Sequence, residues 1–113
     1  MTASEVLRKA RALIEKPENW TQRVRARDAN GFETGVLAPT AAAWCSDGAL
    51  GEVCCRAEQK TWFQDMRAAQ AQLDRAAQEL GSKTYVGFND THTHAEVLSL
   101  FDRAIAAAEA RGE

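Results

Sequence analysis

The sequence has few features that would cross-link a fold with disulfides, anchor it in a membrane or attract a highly charged partner. Three cysteines are an odd and small number for 113 residues, and the N-terminal segment lacks the apolar core of a signal peptide, which argues against a disulfide framework. No run approaches the ~20 apolar residues that span a bilayer. The formal net charge of −2 provides no overall attraction to nucleic acid or to an anionic membrane. We therefore expect a cytoplasmic protein with reduced thiols, for which neither a membrane nor nucleic acid is the partner.

Motifs that identify a cofactor or a metal are also missing. Gly48 and Gly51 lack the downstream Lys-Ser/Thr of a phosphate-binding P-loop, and no Cys-x-x-Cys pair indicates a zinc site. His92 and His94 form a His-x-His pair, which by itself is weak evidence for a metal. We expect no cofactor and no metal site.

What remains is the composition of a compact domain, 45% hydrophobic and 27% charged. No internal repeat or flexible linker divides it, so residues 1–113 are expected to form one domain with a frayed tail at 109–113. Four segments carry apolar residues at helical spacing, namely 4–16, about 40–57, 62–80 and 93–108. The third has the clearest stripe, formed by Trp62, Met66, Ala69, Leu73, Ala76 and Leu80.

Three shorter segments favour strands. Apolar and polar side chains alternate over residues 20–27, a DANG turn follows, and residues 32–37 can return as the partner strand. Residues 83–88 are rich in β-forming side chains. The resulting order, α-β-β-α-α-β-α, predicts an α+β fold in which about four helices pack on a two- to three-stranded antiparallel sheet. The alternative is a mostly helical protein with a marginal hairpin.

Arg23, Arg25 and Arg27 are expected on one face of the first strand. Such a row can bind nucleic acid or a nucleotide, with Trp20 nearby to stack on a base, although Trp20 alternates onto the other face. An acidic protein partner is a second explanation. Acidic neighbours in the following turn favour a third, a solvated face without a partner.

Residues 42–57, taken as one helix, present an unusual stripe opposite the expected core face. The stripe contains Trp44, Gly48, Gly51 and Cys55. Two glycines inside a helix cost roughly 1 kcal/mol each relative to alanine. Close approach by another backbone or by a ligand would account for them. We expect a second element packed over Gly48 and Gly51, with a binding groove as the alternative.

Cys45, at the start of the same helix, is the candidate nucleophile, because a helix N-terminus favours a thiolate. His94 would act as its base and Asn89 or Asp90 would orient the imidazole, which are the ingredients of a papain-like hydrolase. Asp47 beside the thiol opposes thiolate formation, and cysteine is more often a small buried apolar residue. If they are not catalytic, Asn89, Asp90 and His94 would belong to a capped loop that leads into the last helix.

Two motifs are shared with a known group of proteins. Trp-Cys-x-x-Gly-Ala-Leu occupies residues 44–50, and Asn-Asp…Thr-His-x-Glu-Val occupies residues 89–97. Together with PENWTQ and ARDANG, they resemble a family of small uncharacterised bacterial and phage proteins, catalogued as a domain of unknown function. The resemblance implies a bacterial or phage setting and no mechanism. The motif positions that it implies are Trp44, Cys45, Gly48, Ala49, Asn89, Asp90, His94 and Glu96.

These features favour a small cytoplasmic binding or regulatory protein, encoded by a bacterium, a phage or a mobile element. It would act through contacts with an unidentified protein rather than as an enzyme. Its binding residues would be Trp44, Gly48, Gly51, Arg23, Arg25 and Arg27. The first alternative is a thiol hydrolase or transferase that uses Cys45 and His94 with Asn89 or Asp90. The second is nucleic-acid or nucleotide binding through the three arginines.

Overall fold

The structure contains five α-helices and one two-stranded antiparallel sheet. The computed structural model describes every residue, Met1–Glu113. The helices are α1 (Ala3–Leu13), α2 (Ser46–Arg56), α3 (Trp62–Glu79), α4 (Tyr85–Thr91) and α5 (His94–Ala110). The strands are β1 (Ala26–Asp28) and β2 (Ala41–Trp44), and a 3₁₀ turn spans Pro17–Asn19. The predicted α+β class is confirmed, with one helix more and one strand fewer than the predicted order α-β-β-α-α-β-α.

The core lies among α1, α2, α3 and α5, which pack against one another. Its largest fully buried side chains are Phe101, Leu7, Ile14, Leu50, Leu73 and Leu100. Burial of each such side chain stabilises the fold by roughly 1.5–3 kcal/mol. The shorter α4 adds Tyr85 and Phe88 to the same cluster.

Local capping fixes where several helices begin. The Thr2 side chain accepts from the Glu5 N–H at the start of α1. At the start of α5, Thr93 and Glu96 form a capping box in which each side chain bonds to the other's backbone N–H. These contacts satisfy N–H groups that have no partner within a helix.

The strand predicted at residues 83–88 is wrong, because most of this segment forms α4. The Thr84 side chain accepts from the Gly87 N–H and caps the helix. Tyr85 and Phe88, three residues apart, then bury their rings on one side of the helix. Contact with the core outweighs the intrinsic β preference of these residues.

The predicted start of α2 is also wrong, because Ala41–Trp44 form β2 and the helix begins only at Ser46. Ala26 lies opposite Trp44 and Arg27 opposite Ala43, and a bulge precedes the pairing of Asp28 with Ala41. Trp44 therefore does not belong to the predicted stripe on α2.

The first strand is shorter than its alternating pattern predicts. Arg23 has a left-handed backbone (φ 72°), which interrupts an extended strand. Its N–H donates to Asp90 Oδ1 at 2.8 Å, and the Gln22 amide donates to the carbonyl of Asn89 at 3.0 Å. These bonds draw residues 22–23 toward α4. Arg23, Arg25 and Arg27 consequently do not share a strand face, and residues 32–37 contribute only an isolated bridge through Glu33.

The C-terminal residues form hydrogen bonds with the rest of the chain. After α5 ends at Ala110, the Glu113 N–H donates to the carbonyl of Ala108 at 2.8 Å. The Glu113 carbonyl accepts from the Ser4 N–H at 3.2 Å, and its carboxylate accepts from Gln72 at 2.7 Å. The tail thus contacts the first turn of α1 and the middle of α3.

None of the five helices combines the length and the apolar character that crossing a membrane requires.

Candidate functional site

A small cleft lies where the N-terminus of α2 meets α4 and segment 23–25. Its volume is about 80 Å³, enough for two or three waters or one small chemical group. Its lining residues are Arg23, Val24, Arg25, Cys45, Asp47, Val86, Asn89 and Asp90. The cleft therefore brings together three of the four predicted catalytic residues and two of the three predicted arginines.

Asn89 is the centre of the polar network behind this cleft. Its side chain is almost fully buried, and its Oδ1 accepts from Trp20 Nε1 (2.8 Å), the Ser46 N–H (3.1 Å) and Ser46 Oγ (2.8 Å). Its Nδ2 donates to the carbonyl of Thr21 at 3.2 Å and to Asp90 Oδ1 at 3.1 Å. One buried amide thus joins the start of α2, the end of α4 and the segment that leads to β1.

Cys45 is the N-cap residue of α2. Its backbone is extended (φ −78°, ψ 176°), and Sγ accepts from the Gly48 N–H at 3.3 Å. Burial raises the pKa of the Cys45 thiol, against the opposing effect of the hydrogen bond from Gly48. Asp47 and Asp90 raise this pKa further through their charges. The thiol is therefore protonated near neutral pH, and its visible role is to satisfy a helix N–H group.

Asp47 links the cleft to three neighbouring elements. Its Oδ2 forms an ion pair with Arg25 Nη2 at 2.9 Å, and its Oδ1 accepts from the hydroxyl of Tyr85 and from Gln70. Burial raises the pKa of Tyr85, and the hydrogen bond to the Asp47 carboxylate raises it further. The charge of Asp47 is thus compensated inside the protein.

His94, the predicted base, does not line the cleft. Its Nε2 bonds to the carbonyl of Ile14, the C-cap residue of α1, at 2.7 Å. Its ring stands 5.5 Å from that of Trp20, centroid to centroid. The imidazole satisfies a carbonyl at the end of α1, a group that has no partner within the helix.

His92 serves the end of α4 in a similar way. Its Nδ1 bonds to the carbonyl of Phe88 at 2.9 Å, and its ring stacks on the Phe88 ring at 3.6 Å. No group of three or more His, Cys, Asp or Glu side chains is arranged to hold a metal ion.

Gly48 has the close backbone neighbour that the helix pattern predicts. A Cβ at this position would overlap the carbonyl oxygen of Arg25 and lie 2.9 Å from its carbonyl carbon. Gly51 has more room, since the nearest atoms are Arg25 Nη2 at 3.5 Å and Val36 Cγ1 at 3.7 Å. The space over both glycines is thus occupied by the chain itself.

The side chains of Trp44 and Arg27 also form hydrogen bonds with other parts of the chain. The Trp44 indole donates to the carbonyl of Val36 at 3.1 Å. The Arg27 guanidinium donates to Thr21 Oγ1 at 2.7 Å and to the carbonyls of Gln22 and Gly31. These contacts leave little of either side chain for a partner.

An exposed aromatic patch, which we define as Trp62 and Phe63 at the start of α3, was not predicted from the sequence. Their exposed fractions are 41% and 52%, and the rings pack edge to face at 5.6 Å. The predicted stripe of α3 is buried in its middle, but its ends, Trp62 and Leu80, project beyond the core. The available signal was the adjacency of two aromatic residues, because neighbours along a helix cannot share one narrow stripe.

The fold and the cleft define a small α+β protein in which the chemically suggestive side chains mainly satisfy helix ends. A model of a family of unknown function, DUF6197, matches residues 1–107. The chain belongs to this family, which confirms the predicted membership of a family of unknown function. No curated protein and no solved structure matches the chain.

Proposed function

We propose that this chain is a small cytoplasmic, non-enzymatic binding or regulatory protein that acts through contacts with another protein. Its setting would be a bacterium, a phage or a mobile element. The observation that carries the proposal is the aromatic patch. Trp and Phe are enriched at protein interfaces, where they supply large contact areas at low conformational cost.

The patch is a better candidate interface than the residues first singled out for binding. Gly48 and Gly51 are covered by segment 23–25 and Val36, and Trp44 and Arg27 are bonded to the chain's own carbonyls. Trp62 and Phe63 instead direct much of their surface to solvent. Exposed clusters of this kind mark interaction sites more often than isolated apolar residues do.

The thiol-enzyme alternative has less support. Burial raises the pKa of the Cys45 thiol, so a nearby base would be needed to activate it. His94 is bonded to the carbonyl of Ile14 instead. The nucleotide alternative is weakened too, since Arg25 is paired with Asp47 and the cleft holds two carboxylates beside its two guanidinium groups.

Quantitative affinity capture from a lysate of the source cells tests the proposal. The baits are the wild-type chain, a Trp62→Ser/Phe63→Ser variant and a Leu80→Ser control. Leu80 is 44% exposed and lies at the other end of the same helix. We expect a protein that is retained by the wild type and the control and is lost from the double variant. Equal recovery by all three baits would count against the proposal.

A further inference from the structure

We infer that the aromatic patch and its surroundings bind an acidic, amphipathic polypeptide segment, an inference that rests on the proposed function. The patch is flanked by two cations, Lys60 and Arg67, which we call the basic rim. Lys60 lies two residues before Trp62, and the Arg67 guanidinium stands over the Phe63 ring, 5.7 Å from its centroid. Both cations are exposed, and neither forms an ion pair within the protein.

The nearby carboxylates leave this basic rim largely uncompensated. Asp65 is paired with the Met1 ammonium at 3.1 Å, and Glu52 is paired with Arg56 at 3.0 Å. Glu58, in the turn before α3, is the nearest carboxylate along the chain that forms no ion pair. A partner that places carboxylates beside Lys60 and Arg67 would therefore gain complementary charge around an aromatic centre.

The partner segment is expected to be amphipathic because the surface offers apolar rings beside charged groups. Trp62 and Phe63 would contact its apolar side chains, while Lys60 and Arg67 would pair with its carboxylates.

Two other occupants fit less well. In a twofold-symmetric dimer centred on the patch, each copy's basic rim would approach that of the other copy. A basic rim of two residues is also smaller than the clusters of about 4–8 cations that recognise anionic lipids, and the chain as a whole carries a charge of −2.

Selection from a displayed library of random peptides tests the assignment, using peptides of about 16 residues, or roughly four helical turns. The full-length wild-type chain is the target. Affinities of the selected peptides are then measured for the wild type, Trp62→Ser/Phe63→Ser, Lys60→Glu/Arg67→Glu and the control Arg75→Glu/Lys83→Glu. The control changes two exposed cations elsewhere that also lack ion pairs, so it matches the change in net charge.

We expect peptides that combine apolar residues with Asp or Glu. Their affinity should fall about tenfold in the basic-rim variant, fall at least as much in the patch variant, and stay unchanged in the control. Loss of binding in the patch variant alone would overturn the acidic partner and leave the proposed function standing. Binding that survives both variants, or the absence of any selected peptide, would overturn the acidic-segment assignment, while the proposed function is decided separately by the capture experiment.

Two further measurements distinguish the other occupants. Cosedimentation with phosphatidylserine vesicles that requires Lys60 and Arg67 would assign the surface to a membrane and overturn the peptide assignment. A dimer that forms in the wild type and dissociates in the patch variant, measured by analytical ultracentrifugation, would assign it to a second copy. Neither association is expected.

Discussion

At Cys45 a thiol occupies the position that a hydroxyl or carboxylate usually takes at a helix N-terminus. Its Sγ accepts from the Gly48 N–H, while the neighbouring Ser46 N–H is satisfied by Asn89 Oδ1. His94 and His92 bond through their ring nitrogens to carbonyl groups at helix C-termini, which have no partner within the helix. Residue types that suggest catalysis are here used to complete the hydrogen bonding of helix ends.

Substitution of Cys45 tests whether its sulfur stabilises the start of α2 through a hydrogen bond. Cys45→Ser keeps an acceptor of a preferred N-cap type, whereas Cys45→Ala removes it, at a cost of about 0.5–2 kcal/mol in the free energy of unfolding. We expect the serine variant to be more stable than the alanine variant by about 1 kcal/mol, measured by urea denaturation. If the two variants were equally destabilised, Sγ would contribute through packing rather than through its hydrogen bond.

Alkylation measures the reactivity of the three thiols directly. Cys45 and Cys54 are buried, and burial raises the pKa of both, that of Cys54 to about 11, whereas Cys55 is half-buried. At neutral pH we expect iodoacetamide to modify Cys55 first and the other two only on unfolding, as followed by peptide mass spectrometry. Labelling of Cys45 as fast as that of Cys55 would indicate an activated thiol and would support the thiol hydrolase as the function.

Asn89 is the residue on which the cleft depends most. Asn89→Asp keeps the shape but replaces the Nδ2 donor with an acceptor that faces the Thr21 carbonyl and Asp90. We expect a loss of about 1–3 kcal/mol in the free energy of unfolding at neutral pH. The loss should shrink as the pH is lowered, because protonation of the buried carboxyl restores a donor. Asn30→Asp, on an exposed turn, is the matched control and should change stability little.

At the scale of the helix, the two glycines of α2 are predicted to respond in opposite ways. A Cβ at Gly48 would overlap the Arg25 backbone, which cannot move without breaking the bond from the Cys45 N–H to the Arg25 carbonyl. Gly48→Ala should therefore destabilise by about 1–3 kcal/mol. Gly51→Ala meets only ordinary contacts and should stabilise by about 0.5–1 kcal/mol. Thermal or urea denaturation of the pair measures both, and similar effects at the two sites would contradict the assigned packing.

The parts of the fold that follow from local sequence were predictable. Thr93 and Glu96 have capping-box spacing, and the middle of the α3 stripe (Met66, Ala69, Leu73) is buried as its period requires. Residues 41–44 and 83–88 were not predictable in this way. Alanines that favour a helix pair with β1, and a β-rich segment becomes α4, because tertiary contacts decide between weak local preferences.

The candidate site, too, could be predicted only in part from the sequence. Cys45, Asn89 and Asp90 line one cleft as the thiol hypothesis requires, although no local pattern reveals their distance in space. The position of His94 depends on how the start of α5 meets the end of α1, which the sequence does not encode locally. The exposure of Trp62 was missed because a stripe identifies the face that a helix buries and not how far the core extends along it.

At the scale of the whole molecule, buried acids with raised pKa values predict lower stability at alkaline pH. Cys54 titrates near 9.0 when unfolded and at about 11 when folded, and burial raises the pKa of Tyr85 as well. A raised folded pKa means that the native state holds its proton more tightly than the unfolded state does. This contribution to stability is therefore fully present below pH 9.0 and is lost as the pH rises through about 11.

The urea unfolding midpoint, followed from neutral pH to about 11, checks this prediction. We expect it to fall above pH 9.0 and to fall less steeply in Cys54→Ala, which lacks one of the titrating groups. Tyr85→Phe should reduce the slope in the same way, because it removes the hydroxyl that is bonded to Asp47. Cys55→Ala, at a half-buried thiol, is the control and should retain the wild-type slope. A midpoint that stays constant across this range in the wild type would show that these groups are solvated in the native state.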